Sequence, residues 1–141
     1  MKDVTDLLGR ILISFIFLYE AYDSIFYFKE TKETMTAYGL DSNQNLLLYG
    51  SIFLLVVGGL LVLFGYRSSL GAFMLMIYWI PLTFIVHSYW NDPPDAQRLQ
   101  AILFMKNLAI LGGLLMVIVN GSGRFSIKRL FATTKVPQRR R

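Results

Sequence analysis

Asn45 to Phe64 reads NLLLYGSIFLLVVGGLLVLF, twenty residues without one formal charge. An α-helix needs about 20 mostly apolar residues to cross the hydrocarbon core of a bilayer. Ser69 to Tyr89, SLGAFMLMIYWIPLTFIVHSY, is also free of formal charge. Working outward, a further apolar run extends from about Leu7 to Phe28, and another from about Gln97 to Val119, the last holding Lys106. Turn-forming stretches bound them: Gly39 to Asn45, Gly65-Tyr66-Arg67-Ser68, Asn91-Asp92-Pro93-Pro94-Asp95 and Asn120-Gly121-Ser122-Gly123. The fold class that follows is all-α and polytopic. A four-transmembrane-helix bundle occupies residues 1–123, with spans near 7–28, 45–64, 69–89 and 97–119. A basic juxtamembrane tail fills 124–141.

Composition agrees. The 141-residue chain is 55% hydrophobic and 16% charged, where a soluble domain carries about 25% charged residues. Its mean hydropathy is +0.49. There is no cysteine, which excludes thiol–disulfide exchange and a cysteine-held iron–sulfur cluster within the chain. One histidine excludes a bis-histidine haem in a single copy. No residue pattern marks a metal site, and no nucleophile accompanies the carboxylates to suggest a hydrolase. No catalytic residue is assigned.

The net charge of +5 does not point to nucleic acid, because seven of the fourteen Lys and Arg residues follow Asn120, beside an apolar span. Basic residues placed so meet anionic lipid headgroups; the candidates are Arg124, Lys128, Arg129, Arg139, Arg140 and Arg141. Orientation follows from the same residues. Lys2, Arg10, Arg67 and the seven tail residues lie on one face, against Lys29, Lys32 and Arg98 on the other. The richer face is cytoplasmic, so both termini are expected inside a bacterial-type inner (plasma) membrane. Asp3 and Asp6 offset Lys2 and Arg10, and no small-x-small site follows Tyr19. The first run therefore reads as a span rather than a signal peptide. Glu30 to Leu40 is too short and polar to cross, and is expected to form a short helix on the outer surface.

Charged groups inside a span are costly and tend to be paired or to line a cavity. Four stand out, Glu20, Asp23, His87 and Lys106, the last followed by Asn107. At about 1.5 Å per residue, Glu20 lies about 12 Å from Phe28 and Lys106 about 13 Å from Gln97, so the two are nearly level. Glu20 and Asp23 are three residues apart and share a helix face. The expectation is that Glu20 pairs with Lys106, while Asp23 and His87 complete a polar site in the outer half. Three roles stay open: polar groups joining helices, a ligand or proton-handling site, and contact with another subunit. Ala109 and Gly113 form a small-xxx-small pair on the face of Lys106, which is expected to be the packed one. Gly58, Gly59 and Gly112 read likewise as packing glycines. Pro81 frees a backbone carbonyl within the third span.

Several runs together resemble the DoxX family. They are Gly9-Arg10-Ile11-Leu12 with Phe17-Leu18-Tyr19, and Gly58-Gly59-Leu60-Leu61-Val62-Leu63-Phe64-Gly65 followed by Arg67. The others are His87-Ser88-Tyr89-Trp90, the run from Lys106-Asn107 to Gly112-Gly113, and Gly121-Ser122-Gly123-Arg124-Phe125-Ser126. The resemblance covers Gly9 to about Ser126. It implies a four-helix membrane bundle associated with a membrane redox system, including quinone-linked ones. The chain would hold no intrinsic cofactor, would bind a quinone, and would draw electrons from partner membrane or redox proteins. The alternative is a non-catalytic accessory or assembly subunit of a larger complex. His87, Trp90, Lys106 and Asn107 match the family pattern. Ser24 departs from it, since the family's first span often has a lysine nearby, and Glu20 and Asp23 stand outside the common pattern.

Overall fold

The computed structural model describes residues 2–123 and 125–127 of the 141. It is helical throughout: α1 Lys2–Phe26, α2 Phe28–Ala37, α3 Gln44–Phe64, α4 Ser68–Val86, a 3-10 turn at Tyr89–Asn91, and α5 Pro94–Asn120. The headgroup-binding role expected of Arg124, Lys128, Arg129, Arg139, Arg140 and Arg141 falls on residues outside those described.

Gln44–Phe64, Ser68–Asn91 and Pro94–Asn120 are each long and apolar enough to cross a membrane. The charged α1, with Arg10, Glu20 and Asp23 in it, meets the same standard only together with α2, from which it is bent by 97°. That makes up to four spans, and the 25 residues of α1 are long enough alone, at about 1.5 Å each. The bend lays α2 across the end of the bundle, where the polar segment was expected to form a surface helix. Side chains fasten it: Lys32 Nζ donates to Asn45 Oδ1 at 2.7 Å, and Gln44 Nε2 donates to Thr36 Oγ1 at 2.7 Å. The exterior is apolar, with Leu12, Phe15, Leu46 and Val119 each at least 70% exposed. Such a surface belongs in lipid, where backbone polar groups must be satisfied within the helices.

The core joins Phe17 and Ala21 of α1, Leu55 and Val62 of α3, Ala72, Leu75 and Trp79 of α4, and Leu111 and Leu114 of α5. Lipid tails are as apolar as these side chains, so close helix approach carries the packing. A Cβ on Gly71 would stand 2.7 Å from the Gly58 carbonyl oxygen, and one on Gly59 2.9 Å from Leu18. Gly58 thus faces α4 while its neighbour Gly59 faces α1.

At the end where α3 stops, Arg10 is buried to 1% exposure. Its Nε donates to Asp6 at 3.1 Å, Nη1 to the Val62 carbonyl at 3.4 Å, and Nη2 to the Phe125 carbonyl at 2.5 Å. Val62 lies in the last turn of α3, at the negative end of the helix dipole, and its carbonyl also accepts from the Gly65 N–H at 3.2 Å. Gly65 then takes a left-handed φ of +68°, which suits a helix C-terminus. A side chain there would strike the Arg10 guanidinium, and one on Gly123 would strike the Asp6 carboxylate. Ser68 and Ser122 share a hydroxyl hydrogen bond of 2.5 Å, and Ser69 Oγ donates to the Ile118 carbonyl. The start of α1 and the segment after α5 therefore meet at one end of the bundle.

Gly71→Val places a branched side chain against the Gly58 backbone and should lower stability in detergent by about 1–3 kcal/mol or more, the usual cost of overpacking. Gly50→Ala, with nothing within 4 Å of the added carbon, should match or exceed wild type, since alanine is favoured in a helix. Thermal unfolding followed by circular dichroism checks both; equal effects at the two positions would contradict the close α3–α4 approach.

Candidate functional site

The polar groups of the opposite end come from three helices. Glu20 lies six residues from the end of α1, and Tyr78 eight from the end of α4. At about 1.5 Å per residue these depths are about 9 and 12 Å. Tyr78 Oη donates to Glu20 Oε1 at 3.2 Å, and both side chains are half-buried. Asp23, one turn further along α1, and His87 lie close enough to act on Glu20 electrostatically. His87 is the first residue past α4 rather than a residue within it, and its Nδ1 stands 2.8 Å from Gln100 Oε1 of α5. The structure thus gathers Glu20, Asp23 and His87 in one region.

Beneath them Trp79 links the helices. Its Nε1 donates to the Asn107 carbonyl at 3.3 Å, and Phe17 meets its ring edge-on with centroids 5.0 Å apart. Thr83 Oγ1 donates to the Trp79 carbonyl at 2.7 Å, one turn back along α4. Phe104 is ringed by Phe84, Tyr89 and Trp90 at centroid distances of 5.5, 5.6 and 5.6 Å. These contacts fix the His87-to-Trp90 ending against α5, and with it the imidazole.

Lys106 is not part of this arrangement, and the expected Glu20–Lys106 pair is corrected. Among the described residues the ion pair within 4 Å is Arg10–Asp6, and Glu20 turns to Tyr78 instead. The buried face of α5 is Phe104, Asn107, Leu111 and Leu114. Lys106, Ala109 and Gly112 are exposed, so they do not form the packed face either. Of the expected small-residue seam, Gly113 alone is closely approached, by Ile13 of α1. Equal depth did not fix direction around the helix axis: one residue's step, about 100°, separates the exposed Lys106 from the buried Asn107. Asn107 is 8% exposed, and among the described residues its Nδ2 has no partner. Ser24, where the departure from the family pattern lies, is buried at 4% exposure.

Tyr78, Trp79 and Gln100 were missed as site residues. Aromatic residues in a long apolar run read as core or lipid-facing, although the depth of Tyr78, matched to that of Glu20, was a usable signal. Two shallow, open depressions lie on the exterior. One, along α5, is lined by Arg98, Ala101, Ile102, Met105, Lys106 and Ala109. The other is lined by Val57, Leu60, Leu61, Phe64, Tyr66 and Ile127.

A bent first helix, three apolar helices and a polar cluster near one end define a polytopic membrane bundle with ionisable groups inside it. The DoxX family matches residues 5–88, a stretch that takes in Arg10, Glu20, Tyr78 and His87. The chain belongs to the DoxX family. It is similar to the inner membrane protein YqjF of Escherichia coli K12, 32% identical over 130 residues covering 92% of this chain and 94% of that protein. The inner membrane protein YphA of the same organism is 26% identical over 128 residues, 91% of each chain. No solved structure matches.

A double-mutant cycle tests the central contact. Glu20→Ala and Tyr78→Phe should show a coupling energy of about 0.5–3 kcal/mol in thermal or denaturant unfolding, as for contacting polar pairs. Strict additivity would mean that the two side chains do not touch.

Proposed function

We propose that this chain is a small subunit of a membrane redox system that holds the polar head of a quinone-like molecule at Glu20 and Tyr78. The observation that carries this reading is the hydrogen bond between Tyr78 and Glu20 within the bundle. Ionisable groups in such a position are functional candidates by default. The pair presents a hydroxyl donor and a carboxyl acceptor side by side, half-buried and so reachable from the lipid phase. A quinol hydroxyl can donate to the Glu20 carboxylate beside the Tyr78 bond, and a quinone carbonyl accepts from Tyr78 when its single hydroxyl proton turns from Glu20 to the ligand, so the pair can serve either form in turn. When bound, the quinone supplies two-electron carrier chemistry. The chain itself would bind and orient the head, with Asp23 and His87 placed to hold or pass protons at its oxygen. Electrons would come from a partner protein.

The same reading places the chain in an inner membrane, as the names of YqjF and YphA state for those proteins. Both chain ends would face the cytoplasm. Two features support that: the excess of Lys and Arg on one face, and the meeting of the start of α1 with the segment after α5.

Purification in mild detergent, followed by lipid and protein mass spectrometry, tests the proposal. About one quinone per chain is expected with wild type. Tyr78→Phe and Glu20→Ala should each reduce it about tenfold, equivalent to about 1.4 kcal/mol of binding, with helix content unchanged. Equal quinone in wild type and variants would overturn it. Stoichiometric partner proteins without quinone would move the chain to the accessory-subunit reading.

A further inference from the structure

The exposed face of α5 carries a feature that the Glu20–Tyr78 site does not use. Arg98 and Lys106 are both exposed, and both line the same shallow depression with Ala101, Ile102, Met105 and Ala109. Ile102 and Met105 are 50% and 55% exposed, so the groove opens to the surroundings of the bundle. Ala101 and Ala109 leave the hollow because their side chains stop at Cβ. Lys106 lies in the middle of a membrane-crossing helix, where an uncompensated charge is costly. Among the described residues no carboxylate lies within 4 Å of it.

Arg98 and Lys106 are eight residues apart, about 12 Å along the axis. A lysine deep in a span extends its chain toward the nearer interface, which here is the end of α5 that holds Arg98. Ile102 and Met105 stand between the two cations, so the depression offers an apolar strip with Arg98 at one end and the Lys106 side chain extending toward that end from the other. That is the complement of an amphiphile with an anionic head and a hydrocarbon tail. We infer that the groove on α5 is a binding site for an anionic phospholipid.

Arg98 takes the phosphate, for which its planar guanidinium offers paired donors. Lys106 reaches up to the phosphate or the glycerol esters below it, and one acyl chain lies along Ile102, Met105 and Ala109. By the Lys and Arg distribution this end of α5 lies on the outer face, so the lipid would come from the outer leaflet. A partner helix in the same groove would have to bring a carboxylate to the depth of Lys106, whereas a lipid needs only its own head and tail. The site lies toward the Pro94 end of α5, away from Arg10 and the segment after α5. It is thus separate from headgroup contacts of the basic tail, and it does not depend on the quinone reading.

Native mass spectrometry of the full chain in mild detergent, with phosphatidylglycerol or phosphatidylcholine added, tests the site. Wild type should keep one tightly held phosphatidylglycerol and release phosphatidylcholine. The double change Arg98→Gln with Lys106→Gln should weaken that tightest lipid about tenfold or more, while looser lipids on the tail persist. Ala109→Trp fills the hollow, leaves both charges and should displace the same lipid. Circular dichroism identifies which variants remain folded, and either folded variant suffices to decide. A folded variant that holds phosphatidylglycerol as wild type does would overturn the inference. Equal retention of phosphatidylcholine by wild type, or a stoichiometric partner protein with no retained lipid, would do the same.

Discussion

One guanidinium orders the end of this bundle where its chain ends meet. Arg10 sits on α1, yet its three hydrogen bonds reach its own helix, the last turn of α3 and the segment after α5. Burying a charge is unfavourable unless partners surround it. Here the partners are a carboxylate and two main-chain carbonyls, one of them at the negative end of a helix dipole. The geometry then constrains its neighbours: Gly65 and Gly123 have no room for a side chain because the guanidinium and the Asp6 carboxylate fill the space. The bond is long-range in sequence, joining residues 10 and 125, so it can form only when all the helices are in place.

The opposite end is organised differently. Its polar groups make pairwise contacts, Glu20 with Tyr78 and His87 with Gln100, around an aromatic support of Phe17, Trp79 and Phe104. Glu20, Tyr78, His87 and Gln100 are all half-buried, while the aromatic side chains beneath them are buried. The bundle thus combines a closed, ion-paired end with an end whose ionisable groups are half-buried.

Much of the fold was legible in the sequence because hydropathy alone fixes it. The charge-free runs became α3 and α4, and the polar segment before α3 became the surface helix α2. Depth was legible too, since a helix rises uniformly. Direction around the axis was not: the same reading that set Glu20 and Lys106 at one level could not tell that Lys106 points outward and Asn107 inward. On α5 the apolar residues are spread over the whole circumference, so no stripe marked the core. Arg10 was read as a topological charge and as part of a family-like run; its Asp6 partner four residues back was open to view, but its two other partners are main-chain carbonyls, which leave no trace in the side-chain pattern. The same holds for Trp79, whose indole bonds the Asn107 carbonyl.

The most direct measurement is the thermal unfolding of Arg10→Met and Arg10→Lys beside wild type in the same detergent. Methionine keeps the bulk but takes the donor from Asp6 and from the Phe125 carbonyl, at about 1–3 kcal/mol for each buried group left unsatisfied, while the Val62 carbonyl keeps the Gly65 N–H. Lysine keeps the charge but not the planar fork that serves three acceptors at once. A large fall for methionine with an intermediate value for lysine is the predicted result. Three indistinguishable melting curves would show that the bundle does not depend on Arg10.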